Sequence, residues 1–66
     1  MVRTFGEHLR QEIRKDIDAI TDALASGAAT SYDQYTHYTG VLKGLAQADR
    51  LVLDLIEAAE KTSNDN

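Results

Sequence analysis

The 66-residue sequence contains no cysteine, no proline and no tryptophan. Without cysteine the chain has neither a disulfide nor a thiolate metal site, which are two common supports of so small a domain. The two histidines, His8 and His37, fall on different predicted helices without a second ligand at metal spacing, so we expect no metal and no cofactor. The support that is left for a chain of this length is oligomerisation or binding to a partner.

Long apolar runs are also missing. No stretch approaches the roughly 20 apolar residues that span a bilayer, and the first ten residues lack the apolar core and small cleavage-site residues of a signal peptide. We therefore expect a protein that neither enters a membrane nor is secreted. Basic residues are few as well, since eleven acidic residues face seven basic ones and the net charge is −4. That sign disfavours direct binding to nucleic acid.

The absence of proline leaves both halves of the chain free to form helices, and only residues 26–31 interrupt them. The first helix is predicted over about 5–26. Thr4 and Glu7 have the spacing of a capping box at its start, and Gly27 suits the left-handed position that follows a helix end. A narrow apolar stripe runs along this helix, and it consists of Phe5, Leu9, Ile13, Ile17, Ile20 and Leu24.

The second helix is predicted over about 31–61, where Ser31 and Gln34 form another capping box. Residues 62–66 carry no apolar anchor and are expected to fray. The fold class is therefore all-α, an antiparallel two-helix hairpin that forms one domain over residues 1–66. The expected cross-helix pairs are Leu24 with Tyr35, Ile20 with Tyr38, Ile13 with Leu45, Phe5 with Leu53, and Gly6 with Val52.

The apolar surface of the second helix is wider than one partner helix can cover. One face suffices to close the hairpin and is formed by Tyr38, Leu42, Leu45, Val52, Leu53 and Ile56. A helix that is apolar over more than half its circumference is buried on more than one side. We therefore expect assembly into a larger helical bundle through oligomerisation or a partner, and the predicted interface consists of Gly40, Gly44, Ala48, Leu51, Leu55 and Ala58.

Three small residues of that interface, Gly40, Gly44 and Ala48, are spaced by four. Such spacing lines one flank of a helix and lets a second backbone approach closely. Each glycine inside a helix costs roughly 1 kcal/mol relative to alanine, so close helix contact is one explanation for two of them. The alternative is that small residues are simply tolerated there.

Asp49 is the one acidic residue inside the apolar arc of the second helix. A buried carboxylate without a partner is costly, and the antiparallel register brings either His8 or Arg10 within reach. Arg10 is the better partner because it can donate two parallel hydrogen bonds. The alternative is a solvated carboxylate at the rim. Catalysis by Asp49 would require a second group and a pocket, and no nucleophile or phosphate-binding motif is present, so we expect no enzyme.

Tyr32, Tyr35 and Tyr38 recur every three residues around His37. They offer either an aromatic contact for a planar ligand or a partner, or ordinary packing at the closed end of the hairpin. Because a spacing of three drifts around a helix, we expect at least Tyr32 to leave the core.

The stretch from Tyr35 to Ala48, YTHYTGVLKGLAQA, resembles small helical-hairpin proteins of tailed bacteriophages, which share the pattern Y-x-x-Y-x-G-V-x-x-G-L. The resemblance covers nearly the whole chain and implies a structural or assembly role in the virion, in contact with copies of itself or with a larger virion protein. It carries no catalytic or binding residues. Phages also encode small acidic inhibitors or sponges that bind a host defence or transcription protein or a signalling ligand, and this is the alternative. Either role implies the virion or the cytoplasm of an infected bacterium.

Overall fold

A computed structural model describes residues 2–64, with side chains described as far as residue 62. Two helices, α1 (Val2–Ala25) and α2 (Tyr32–Asn64), pack against each other, and residues 2–64 contain no strand. Hydrogen bonds from Arg3 to Glu60 and from Arg10 to Asp49 show that the helices are antiparallel. The predicted all-α helical hairpin is confirmed.

The turn between the helices begins with a glycine in the left-handed region. Gly27 has a φ of 86°, and its N–H donates to the carbonyl of Leu24 at 3.1 Å, while the N–H of Ala28 donates to the carbonyl of Ala23 at 2.9 Å. These two bonds form the Schellman pattern, which satisfies carbonyls that the end of a helix leaves free. The predicted role of Gly27 is confirmed, and α1 ends at Ala25, one residue before the predicted boundary.

The start of α1 differs from the prediction. The helix already begins at Val2, so Thr4 lies inside it and the predicted capping box with Glu7 is wrong. Glu7 instead accepts a hydrogen bond from Arg3 Nη1 at 2.9 Å. Arg3 also bonds Glu60 of α2, so a contact with the other helix holds the first turn in place of a local cap.

The start of α2 follows half of the predicted capping box. Ser31 Oγ accepts from the N–H of Gln34 at 3.2 Å, as expected of an N-cap. The side-chain oxygen of Gln34, however, accepts from the N–H and the hydroxyl of Thr30 at 2.8 and 2.9 Å, one residue earlier than predicted. Ser31 is therefore the N-cap of α2, and the Gln34 side chain binds Thr30, the residue before Ser31.

The end of α2 lies beyond its predicted boundary at residue 61. The helix continues to Asn64, so the first residues of the predicted frayed tail are helical, while residues 65 and 66 lie outside the described residues. Thr62 Oγ1 donates to the carbonyl of Ala58 at 3.0 Å. No glycine or proline follows Lys61 to end the helix earlier.

The contact between the helices is thin, and its tightest point lies near the open end. Ile56 is 2% exposed and is the one buried apolar side chain among the described residues. It packs directly against Gly6, which is also buried. The prediction had placed Gly6 opposite Val52, so the contact lies one helical turn further along α2. Glycine permits this approach because no Cβ stands between the two helices.

The hairpin is long and exposes much of its surface. It measures 54 by 16 by 10 Å, and its radius of gyration is 15.6 Å, whereas a compact chain of this length would have a radius of about 11 Å. Its accessible surface is 5099 Å², compared with about 4,200 Å² for a compact monomer of this mass. Across the described residues, no helix combines the length and hydrophobicity that crossing a bilayer requires.

Candidate interaction surface

The two broad sides of the hairpin differ in chemistry. Each residue turns a helix by about 100°, and this places Leu51 and Leu55 on the same side of α2. Phe5 and Leu9 of α1 lie on that side too. Antiparallel helices run in opposite directions and face each other from opposite sides, and these two reversals cancel. Residues that are turned by the same angle from the contact line of either helix therefore share one side of the hairpin. We call this the apolar side, and it is formed by Val2, Phe5, Leu9, Val41, Gly44, Ala48, Leu51 and Leu55.

A groove on the apolar side shows that the two helices contribute to one surface. It lies at the open end of the hairpin and has a volume of about 180 Å³. Its floor includes Gly6 and Ile56, the residues of tightest helix contact. All of its lining residues are apolar or glycine, and they are Val2, Phe5, Gly6, Leu9, Val52, Leu55 and Ile56.

The largest side chains of the apolar side are mostly in solvent. Phe5 is 70% exposed, Leu55 61% and Leu51 59%. Phe5 was predicted to pack against Leu53 inside the hairpin, and this is wrong. Phe5 instead lies at the rim of the groove with Leu55, because α1 is rotated to place Gly6, its neighbour, against α2.

The residues predicted for an interface mostly lie on the outer surface of α2. A methyl group at Gly40 or Gly44 would meet nothing within 4 Å, and Leu51, Leu55 and Ala58 are exposed. Ala48 is half-buried and marks the border between the apolar side and the contact with α1. The hairpin therefore leaves this surface open. The sequence prediction missed the contribution of α1, because the apolar stripe of α1 was assigned entirely to the hairpin contact.

The opposite side of the hairpin carries its cross-helix ion pairs, and we call it the charged side. Arg10 Nε donates to Asp49 Oδ1 at 3.0 Å and Arg10 Nη2 donates to Oδ2 at 3.2 Å, so the guanidinium binds both carboxylate oxygens. The two side chains are 14% and 17% exposed, and Arg14 Nη2 lies 3.9 Å from the same carboxylate. The structure thus brings Arg10 and Asp49 together at a half-buried position, whereas the exposed His8 side chain lies on the surface with its Nε2 3.9 Å from Glu12 Oε1.

The hydrogen bonds from Arg10 lower the pKa of Asp49 below its ordinary value of 3.8. Burial acts in the opposite direction, and the positive charges of Arg10 and Arg14 add to the lowering. Asp49 is therefore held as a carboxylate whose partners are already in place. The arrangement is that of a structural ion pair between the helices.

A second cross-helix pair lies at the open end and was not predicted. Arg3 Nε and Nη2 each donate to a carboxylate oxygen of Glu60 at 2.6 Å, and the same hydrogen bonds lower the pKa of Glu60. The predicted register placed these residues about one turn apart. The signal available in the sequence was the opposite charge of two residues near the free ends of the helices.

The tyrosines do not form a common cluster. Tyr32 is 81% exposed and Tyr35 is also exposed, while Tyr38 is half-buried. Tyr32 leaves the helix contact as expected, and Tyr35 leaves it as well. The His37 and Tyr38 rings meet edge to face, with centroids 5.9 Å apart. The closed end therefore presents the exposed rings of Tyr32 and Tyr35 to solvent.

Within residues 2–64, no group of three histidine, cysteine, aspartate or glutamate side chains is placed to hold a metal ion. The apolar side and its groove are therefore taken as the candidate functional surface. Comparisons with protein-family models, with curated proteins and with solved structures find no match to this chain.

Proposed function

We propose that this chain is a non-enzymatic structural or assembly protein of a tailed-phage particle. It acts through the apolar side of the hairpin, which packs against copies of the chain or against a larger virion protein. Helix α2 contributes most of the contact, and Phe5 and Leu9 of α1 add to it.

The observation that carries the proposal is the exposure of Phe5, Leu51 and Leu55 on one side of the molecule. Burying a side chain of this size stabilises a complex by about 1.5–3 kcal/mol relative to leaving it in water. A single exposed leucine is ordinary on a protein surface, but a contiguous apolar patch marks an interaction site. The charged groups that bridge the helices lie on the other side, so the apolar side can be buried without breaking them.

The placement in a phage particle is supported by the resemblance of residues 35–48 to small hairpin proteins of tailed phages. An assembly role requires a surface that is exposed on the free chain and covered in the particle. The apolar side is exposed on the free chain, and it is the surface that contact in the particle would cover. The chain would then be found in the virion, and in the cytoplasm of the infected bacterium before assembly.

The experiment measures incorporation into purified, washed phage particles by quantitative mass spectrometry. We expect the native chain at a fixed ratio to the major virion proteins. Leu55→Gln should lower this ratio, whereas Ala46→Gln, which changes an exposed residue on the charged side, should leave it unchanged. Absence of the native chain from washed particles, or equal incorporation of both variants, would contradict the proposal.

The alternative is a phage-encoded inhibitor or sponge that binds a host defence or transcription protein or a signalling ligand. The exposure of Tyr32 and Tyr35 at the closed end favours this alternative, since exposed tyrosines are common at binding surfaces. It predicts that Tyr32→Ser abolishes binding to the host target while Leu55→Gln does not. The result of the particle experiment separates the two roles, because an inhibitor would be missing from washed virions.

A further inference from the structure

The large exposed apolar side chains are unevenly distributed over the apolar side. Val2, Phe5, Leu9, Leu51 and Leu55 all lie in the half of the hairpin nearer its open end, around the 180 Å³ groove. The half nearer the turn carries one large exposed apolar side chain on the same side, Val41, which is 36% exposed. Any partner that covers the apolar side must therefore gain most of its contact at the open half.

We propose that a second copy of this chain covers the open half in a two-fold symmetric dimer, in which Phe5 of each copy enters the groove of the other. This inference rests on the proposed function, because it takes the apolar side to be the working surface. It adds to that function the identity of the first partner, a second copy of the chain, and the residue that anchors the contact, Phe5.

Self-complementarity is the first reason for choosing a second copy. A two-fold contact uses the same patch on both subunits, so the patch must hold both a projecting group and a recess for it. Phe5 projects at the rim of the groove, and the groove lies directly beside it between Leu9 and Leu55. Its lining contains no charged residue, so an aromatic ring can enter without removing a charge from water.

The available area is the second reason. The chain exposes 5099 Å², roughly 900 Å² more than a compact monomer of its mass. A standard stable interface buries about 800 Å² on each partner. The open half of one broad side, about 27 by 16 Å, offers roughly 430 Å² on each copy, which is the size class of weak, reversible complexes. A second copy is therefore sufficient to cover the open half in a reversible dimer.

The distribution of charge is the third reason. Each copy carries a net charge of −4, which opposes self-association. The acidic residues on the same side of α1 are Glu12 and Asp16, which lie towards the turn and away from the groove, and Glu12 is paired with Lys15 at 3.1 Å. Contact at the open half therefore keeps these carboxylates at the edge of the interface and in water.

The first test is analytical ultracentrifugation of the full chain over a range of concentrations. We expect a monomer–dimer equilibrium for the native chain. Phe5→Ala should raise the dissociation constant at least tenfold, as expected when a buried aromatic anchor is removed. Tyr35→Ala removes another exposed ring, away from the groove, and should leave the constant within about twofold. Circular dichroism of each variant checks that the hairpin is intact.

The second test locates the contact directly. In a mixture of isotope-labelled and unlabelled chains, intermolecular nuclear Overhauser effects should connect the Phe5 ring with Leu55 methyl groups. A chain that is monomeric at millimolar concentration would overturn the inference, and so would a dimer that Phe5→Ala and Tyr35→Ala affect equally. Either result leaves the incorporation experiment to decide the proposed function. Conversely, a Phe5-dependent dimer that is missing from washed particles upholds the inference and rejects the virion role.

Discussion

Gly6 and Ile56 are packed so closely that no methyl group fits between the Cα of Gly6 and the side chain of Ile56. This contact joins residues near opposite ends of the chain, and it involves the most deeply buried apolar side chain of the described residues. It also sets the rotation of α1, which turns the neighbouring Phe5 outwards. The tight contact between Gly6 and Ile56 therefore also explains why Phe5 is exposed on the apolar side.

Substitution of Gly6 by alanine should destabilise the hairpin. Alanine improves helix propensity by about 1 kcal/mol, but the added methyl group overpacks the contact with Ile56 at a cost of about 1–3 kcal/mol. The matched control is Gly40→Ala, where the new methyl group meets nothing and the gain in propensity should appear alone. Urea unfolding followed by circular dichroism measures both changes. Equal stabilisation by the two substitutions would show that Gly6 has room for a side chain.

Stability should fall in acid because Asp49 and Glu60 have lowered pKa values in the folded chain. The unfolded chain then binds more protons than the folded one, so the stabilisation is complete above the ordinary values of 3.8 and 4.5 and is lost as the pH falls through the lower folded values. We expect a melting temperature that is steady near neutral pH and decreases below about pH 4.5.

Asp49→Asn tests the share of this acid dependence that comes from the pair with Arg10. The variant should melt at a lower temperature at neutral pH and should lose less stability on acidification than the native chain. Asp54→Asn is the control, since Asp54 pairs with Arg50 one turn earlier on the exposed surface of α2 and not with α1 among the described residues. Identical pH profiles for the native chain and Asp49→Asn would show that the cross-helix pair does not contribute to stability.

Gly27→Ala should destabilise the hairpin by about 1–2 kcal/mol, the cost of placing a residue with a Cβ in the left-handed region. The φ of 86° at Gly27 is the reason, since the surroundings offer open space for a side chain. Gly27→Asn should cost less, because asparagine enters this region more readily. Thermal unfolding of the three chains gives the order, and an alanine variant as stable as the native chain would refute the explanation.

Ser31→Ala should cost about 1 kcal/mol by removing the N-cap of α2. Its hydroxyl oxygen accepts the N–H of Gln34, which then has no partner inside the helix. Ser26→Ala serves as the comparison, because the Ser26 hydroxyl donates to the carbonyl of Ala23 and does not cap a helix start. Denaturant unfolding should show a clear loss for the first variant and a smaller change for the second.

The local features of the fold could be predicted from the sequence. Gly27 ends α1 and Ser31 begins α2 through hydrogen bonds that reach no further than five residues along the chain. The width of the apolar surface on α2 was also visible, because side-chain direction in a helix repeats with a fixed angle. The pair of Arg10 and Asp49 could be anticipated because the register counted from the turn brings these residues within reach, whereas it is wrong by one turn at the open end.

Tertiary structure alone decided the features that depend on how the two helices meet. Thr4 has the neighbours of a cap, yet α1 begins before it, where Arg3 binds Glu60 from the far end of the chain. Phe5 belongs to the apolar stripe of α1, yet it faces solvent because the neighbouring glycine takes the contact with α2. Local sequence specifies each helix and its apolar residues, since these depend on near neighbours. The rotation and register of one helix against the other depend on the fit of residues about fifty positions apart, and that fit can be seen only in the packed structure.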